Sequence, residues 1–268
     1  MPEIVQGNRR IYYESHGEGY PLVMIRGLGS NADHWYAQVP DLSGHYRVIT
    51  FDNRGIARST DPGGPFTIPD MAEDTIRLMN ALRIEQAHVL GLSLGGMIAQ
   101  EMAIRHPERI KGLILVVTLC GGPHQVVAED AVREKLLRMV FEGSADARIK
   151  AIEVFFAPRT INERLQIVQA YAEVSMKHPA GLEILQRQYE AVARHDTYDR
   201  LDRIKAQTLV LTGEEDMLIP PGNSEILAER IPGAELRVIP GGGHQIMIEQ
   251  PQACNRAIVA FLQKVDSA

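Results

Sequence analysis

The segment Gly91-Leu92-Ser93-Leu94-Gly95-Gly96 constrains this chain more than any other, because an apolar run leads into it and a helical pattern leaves it. Ala87-His88-Val89-Leu90 reads as a buried strand. Beyond it, Leu94, Met97, Ile98 and Met102 fall on one face of a 3.6-residue period, and His106-Pro107 supplies a stop. Ser93 therefore sits on a strand-to-helix elbow. Glycines two positions to either side let strand and helix approach closely, and the bend turns the serine hydroxyl away from the sheet. At a helix N-terminus, unpaired amides and the helix dipole favour developing negative charge. A strand that feeds straight into a helix also predicts a parallel sheet covered by crossover helices.

The rest of the chain repeats that unit. Short apolar runs at Pro21–Ile25, Arg47–Phe51, Gly112–Val117, Thr208–Leu211 and Leu236–Ile239 read as further buried strands, with Arg10–Glu14 as an antiparallel edge strand. Helical patterns separate them, such as Met71–Leu82 after the Thr67-Ile68-Pro69-Asp70 start. No strand candidate occurs between the Gly112 run and the Thr208 run. Apolar spacing there, at Val132, Leu136, Leu137 and Val140 and again at Leu182, Leu185, Tyr189 and Val192, predicts helices, and Thr160-Ile161-Asn162-Glu163 has the form of a capping box. The expectation is an α/β core over 1–122 and 196–268, interrupted by a helical cap over 123–195.

A chain of 268 residues can bury a core of that size. Its 28 basic and 34 acidic residues leave a net charge of -6, without a long run of either sign. Nothing in that balance points to nucleic acid or to an anionic membrane as partner, so a small molecule is the expected one, and self-association stays open. The two cysteines, Cys120 and Cys254, are too few for a disulfide framework. The start Met1-Pro2-Glu3-Ile4-Val5-Gln6 lacks a signal-peptide pattern, and the longest apolar run, Leu113–Cys120, is too short to span a bilayer. A cytoplasmic location is the resulting expectation.

A serine hydroxyl becomes a good nucleophile only when a base takes its proton and a third group holds that base. Two later loops supply such groups. Thr208–Leu211 runs into Thr212-Gly213-Glu214-Glu215-Asp216, and Leu236–Ile239 into Pro240-Gly241-Gly242-Gly243-His244. Both loops follow strands, at the edge where open α/β sheets place ligands. Asp216 and His244 are the candidates, with Glu215 the main rival acid; Thr118–Gly122 contains no carboxylate. The other histidines, His34 and His124 included, lack this placement and read as incidental, and Cys120 reads as a buried, inert thiol. No metal-ligand spacing and no Gly-x-Gly-x-x-Gly after the first strand occurs, so neither a metal nor a cofactor is expected.

Taken together, these pieces resemble the α/β-hydrolase fold superfamily along essentially the whole chain, and within it small esterases and 3-oxoadipate enol-lactone hydrolases. The similarity rests on Arg26-Gly27-Leu28-Gly29, Phe51-Asp52-Asn53-Arg54-Gly55, the Ser93 elbow, Gly213–Asp216, and His244 followed by Glu249-Gln250-Pro251. It implies a mostly parallel eight-stranded sheet with helices on both faces. Ser93, Asp216 and His244 also follow the chain order of the family's triad. By the same resemblance the oxyanion hole is formed by the backbone amides of Leu28 and Leu94. The implied reaction is cofactor-free cleavage of a small ester or lactone through an acyl-serine; C–C bond, thioester or amide cleavage and perhydrolysis use the same machinery, and a receptor without turnover is the non-enzymatic alternative. Serine at the elbow argues against the dehalogenases and epoxide hydrolases, which carry aspartate there. Two positions depart from the pattern. Arg26 stands where histidine is common, and can either brace loop carbonyls or meet a substrate carboxylate; Ile56-Ala57 replaces small residues after Gly55. Trp35 is a further candidate for substrate contact, although core packing is the commoner fate of such a residue. Among the cap aromatics Phe141, Phe155, Phe156, Tyr171 and Tyr189, most are expected to pack and a few to line an apolar pocket.

Overall fold

Successive residues of a strand face opposite sides of a sheet, so a strand apolar at every position must be covered on both. The computed structural model, which describes residues 3–6, 9–61 and 63–268, shows this arrangement. Leu22, Met24, Val48, Leu90, Ile114, Leu209 and Leu211 pack into one core with Leu42, Ile258 and Leu262. Their strand neighbours Val23, Ile49, Val89, Leu113, Leu115 and Val210 pack into the other, with Ile76, Met97, Ile98 and Leu227.

The strands are β1 (Glu3–Gln6), β2 (Arg9–His16), β3 (Pro21–Ile25), β4 (Arg47–Phe51), β5 (Ala87–Leu92), β6 (Ile110–Val116), β7 (Gln207–Gly213) and β8 (Glu235–Ile239). They form one eight-stranded sheet in the order β1-β2-β4-β3-β5-β6-β7-β8. β2 pairs antiparallel with β1 and β4, and every later pairing is parallel. β1 has no counterpart in the sequence reading: it is four residues long, and Glu3 and Val5 both face solvent. β6 stops one residue short of the apolar run because Val117 adopts φ 43, which ends the extended backbone.

The helices are α1 (Val39–Leu42), α2 (Ile68–Ala81), α3 (Leu94–Arg105), α4 (Asp130–Phe141), α5 (Ala145–Phe155), α6 (Pro158–Glu163), α7 (Leu165–Lys177), α8 (Leu182–Ala193), α9 (Gly222–Arg230), α10 (Ile246–Glu249) and α11 (Pro251–Asp266). α2, α3 and α9 cover one face, and α1 and α11 the other. Thr67 caps α2 as its sequence suggests, in a reciprocal box with Asp70. The capping box expected at Thr160 is not a cap. Pro158 opens α6 two residues before Thr160, whose hydroxyl instead donates to Glu249 at 2.7 Å. Helices α4 to α8 all lie between β6 and β7 in the chain. Where this insert leaves and rejoins the core, Gly121 bridges Asp196, Gly122 N–H donates to His195 C=O and Thr197 N–H to Cys120 C=O. Among the described residues, no helix is long and apolar enough to cross a membrane.

Candidate active site

The elbow is strained and tightly enclosed. Ser93 has φ 56 and ψ -120, a conformation that costs a residue with a side chain ~1–3 kcal/mol and persists only where its surroundings enforce it. They do so through three bonds: Ser93 N–H donates to Val116 C=O at 2.9 Å, and its own carbonyl accepts from Gly96 N–H at 2.8 Å and from the Thr118 hydroxyl at 2.7 Å. The glycines are a matter of space here. A Cβ on Gly91 would lie 2.2 Å from Gly95 O, and one on Gly95 would lie 2.1 Å from Ile25 O.

His244 and Asp216 meet across the neighbouring loops. His244 Nδ1 lies 2.8 Å from Asp216 Oδ2, with both side chains buried. Asp216 Oδ1 accepts the amides of Leu218 and Ile219, each at 2.9 Å, which fixes the plane of the carboxylate. A carboxylate beside Nδ1 places the ring proton there and leaves Nε2 able to accept one. The neighbouring acids do something else: Glu214 and Glu215 are exposed, and Glu214 accepts Gly241 N–H, shaping the loop that carries His244.

Ser93 and His244 face one cavity of about 140 Å³. Leu28 and Leu94 line it too, with Met97, Leu119, Leu136, Phe155, Tyr171 and Tyr189 as its apolar wall. Leu94 is the first residue of α3, where an amide has no intrahelical acceptor. The Leu28 loop is braced from below and from the side. Asp52 accepts Ala32 N–H at 2.8 Å and the Arg58 guanidinium at 2.7 Å, Asn53 Nδ2 donates to Arg26 C=O, and Gln188 of α8 accepts Gly29 N–H at 2.9 Å. Such an arrangement can deliver a hydroxyl to a carbonyl, take up its proton and hold an oxyanion between two amides.

Arg26 and Trp35 do not reach the cavity. The alternation of β3 sends Arg26 toward the α11 side of the sheet, where its guanidinium lies 4.7 Å over the Trp35 ring and both side chains are fully buried. One nitrogen donates to Gln245 Oε1 at 3.4 Å, while Nε and Nη1 have no partner among the described residues. Burial pushes this guanidinium down to about 10, so it stays charged at neutral pH. It stands behind Gln245, which lines the cavity. Of the cap aromatics, Phe155, Tyr171 and Tyr189 line the cavity, Phe156 packs edge-on against Tyr171, and Phe141 is half exposed against Tyr189. Cys120 is buried and its thiol is pushed up to about 11 by desolvation, so no thiolate is available at neutral pH.

Three polar residues that the sequence reading left without a role tie the insert to this floor. Glu249 is buried; Oε2 accepts Ala157 N–H at 3.0 Å and the Thr160 hydroxyl, and Oε1 accepts Gly243 N–H at 3.1 Å, next to His244. Desolvation is the main cause that raises its pKa above the usual glutamate value. His34 joins the Leu28 loop to α7 through Ser175 Oγ at 2.9 Å. That hydroxyl donates to Tyr171 C=O, so His34 Nε2 is the donor to Ser175, while Nδ1 lies 3.0 Å from Asn31 Oδ1 and 3.3 Å from Asn31 N; burial holds the ring's pKa at about 3, which keeps it neutral at pH 7. Gln188 is the third. Glu249 belongs to a matched sequence segment, which is the signal that could have drawn attention to it; Gln188 carried none.

Comparison with known proteins follows the same lines. A family model described as alpha/beta hydrolase fold matches residues 20–251. A protein of Azorhizobium caulinodans named "Putative carbamate hydrolase RutD" is 30% identical over 267 residues, covering 99% of this chain and 100% of that one. Among solved structures, a thermophilic esterase from Thermogutta terrifontis superposes with TM-score 0.86 at 28% identity, covering 99% of both chains. The enol-lactonase from Burkholderia xenovorans superposes with TM-score 0.88 at 26% identity, covering 98% of this chain and 100% of its own.

Proposed function

The chain belongs to the α/β-hydrolase fold family, and from that premise we propose that it is a serine hydrolase cleaving a small carboxylic ester or lactone through an acyl-Ser93 intermediate. The observation that carries this reading is the 2.8 Å contact between His244 Nδ1 and Asp216 on the wall of the cavity that Ser93 enters. Ser93 Oγ attacks the carbonyl as His244 Nε2 takes its proton. The Leu28 and Leu94 amides receive the oxyanion, each such donor being worth ~3 kcal/mol of barrier. His244 then returns the proton to the leaving oxygen, and a water repeats the sequence on the acyl-enzyme. Asp216 orients the ring and stabilises the imidazolium.

A second reading has one observation in its favour, the relatives named as carbamate hydrolases. The same attack on a carbamate carbonyl expels an amine or alcohol, with His244 protonating the leaving group. One experiment addresses both. The enzyme is mixed with a 4-nitrophenyl ester, a lactone and an aryl carbamate, and turnover and the intact-mass adduct are followed. The expected result is rapid ester and lactone turnover with the acyl or carbamoyl group mapped to Ser93. Greater kcat/KM for the carbamate transfers the assignment to that class. An adduct on any other residue, or neither adduct nor turnover with any member, overturns the serine-hydrolase reading.

A further inference from the structure

A second cavity of about 320 Å³ lies beside the first, under the insert. The two share Leu28, Ser30, Phe155 and Tyr171, so the larger space begins at the oxyanion loop. Its far end reaches water between α5 and α7, where Ile149 and Met176 are 65% and 70% exposed. Interiors rarely leave gaps larger than a water molecule, and this one follows from residue choice. Small residues, Ala172 and Ala180, stand where longer ones would fill it, and the methionines Met139 and Met176 give a wall that adapts to what it meets. The cavity next to Ser93, at about 140 Å³, falls below the ~300 Å³ at which ligand pockets usually begin.

Of the polar groups on this wall, Arg148 and Ser175 are already used, which leaves the hydroxyls of Ser30 and Tyr171 at the end shared with the first cavity. Arg148 donates to the carbonyls of Gly143 and Ala180, each at 3.2 Å, and Ser175 is engaged with Tyr171 C=O and His34. What the space offers a ligand is apolar contact ending at an open rim. Resting on the ester-hydrolase reading, we propose that this second cavity is the subsite for an alkyl chain of the substrate, running from the carbonyl past Leu28 toward Met176, so that esters with medium-length chains are preferred over acetyl-methyl esters. The chain belongs to either the acyl or the alcohol half, and the test separates the two.

Two ester series are compared, 4-nitrophenyl acyl esters from acetate to decanoate and alkyl acetates from methyl to octyl. In one series kcat/KM should rise up to about fourfold per added methylene until the chain reaches the rim, the gain ~0.8 kcal/mol of burial per methylene allows; that series identifies the half. Ala172→Trp should lower the ratio of long-chain to short-chain kcat/KM at least tenfold. Met176→Lys, on the exposed rim, serves if the first variant does not fold, and should lower the ratio for the longest chains. Flat or falling profiles in both series, or a ratio unchanged in the folded variants, overturn the proposal. A set of 4-nitrophenyl alkylphosphonates of increasing chain length separates this from failure of the underlying reading. Ser93 Oγ bonds to phosphorus as the aryl P–O bond breaks, one equivalent of 4-nitrophenolate leaves, and His244 receives the serine proton. Labelling independent of chain length overturns the subsite alone. No labelling at any length overturns the serine reading and the subsite with it.

Discussion

Around Ser93 the loops are pinned by hydrogen bonds to Asp216, Asp52 and Asn53 and the helix that follows is embedded, whereas the insert above meets the site with apolar side chains and leaves much of itself in water. In α3, ten of twelve residues are buried. In α4 and α7 only two each are, Val132 and Val140, and Val168 and Tyr171. The difference teaches where each requirement resides. On the proposed mechanism, proton transfer needs groups held to a fraction of an ångström, and the sheet edge offers that through short loops pinned by backbone bonds. Fitting a carbon skeleton needs shape and tolerance, and amphipathic helices on a narrow attachment supply it. Glu249, His34 and Gln188 are polar ties between the two regions, beside Gln245 N–H to Phe155 C=O, Arg164 to Glu249 C=O and Arg187 to Asp61.

Asp216→Asn tests the floor most severely. With the ring no longer held in the right tautomer, kcat should fall by ~10³-fold or more, while Glu214→Gln and Glu215→Gln stay within about threefold. Equal, small losses in ester kinetics for all three would remove Asp216 from its role.

Glu249→Gln tests whether roof and floor are coupled. An amide cannot accept from Ala157, Thr160 and Gly243 with both oxygens, so the loop carrying His244 loosens. We expect kcat to fall ~10- to 30-fold with KM little changed, matching a loss of about 1.5–2 kcal/mol for a charged acceptor. Thr160→Val, which cuts only the insert side, should cost less. A loss confined to KM would mean that Glu249 serves the pocket and not the histidine.

Acidification tests the tie through His34. Burial first, and then the Arg26 charge, hold its pKa at about 3, and burial holds His195 at about 4. An unfolded histidine titrates near ~6.5. Below that value the unfolded chain binds protons the folded one does not, so stability is complete above it and declines as pH falls toward the folded values, by at most ~1.4 kcal/mol per pH unit for each ring. Urea unfolding at pH 7 and pH 5 should show a loss of up to ~2 kcal/mol per histidine, and His34→Gln should flatten the dependence. An unaltered slope in His34→Gln would count against a neutral buried ring.

Arg26→Met should have the smallest effect. Because the guanidinium lies behind Gln245 and lacks a carboxylate partner, kcat/KM should change by less than ~3-fold, equally for neutral and carboxylate-bearing esters, and stability should hold or rise. A selective loss for the anionic ester would return Arg26 to substrate recognition.

The sheet was legible because its strands are apolar at consecutive positions, a pattern that burial on both faces demands, whereas β1 has an exposed pattern and four residues to show it in. Ser93, Asp216 and His244 could be read because each follows an apolar strand within a few residues, so chemistry and position appear together in one stretch of chain. Arg26 and Trp35 were legible as neighbours of the oxyanion loop but not as to direction, which the alternation of β3 and the packing of Trp35 decide. Thr160 looked like a cap because its spacing is right, and Pro158 starting the helix earlier released its hydroxyl. Gln188 remained silent for a different reason: its partner is the Gly29 backbone amide, not a side chain with a pattern of its own, and Glu249, though in a matched segment, had no legible role because it holds the amides of Ala157 and Gly243 as well as the Thr160 hydroxyl.

At the junction where the insert departs and returns, the bridge between Gly121 and Asp196 brings both ends together before the first of its helices begins. From the core's side, the whole insert is a single closed loop whose ends are already fixed. Lengthening a flexible loop twofold costs only ~0.6 kcal/mol in closure entropy, and the sheet needs no change of register to accommodate it. The insert is therefore a cassette: its length and lining can change, and with them the volume above Ser93, while the loops that carry Ser93, Asp216 and His244 keep their places on the sheet.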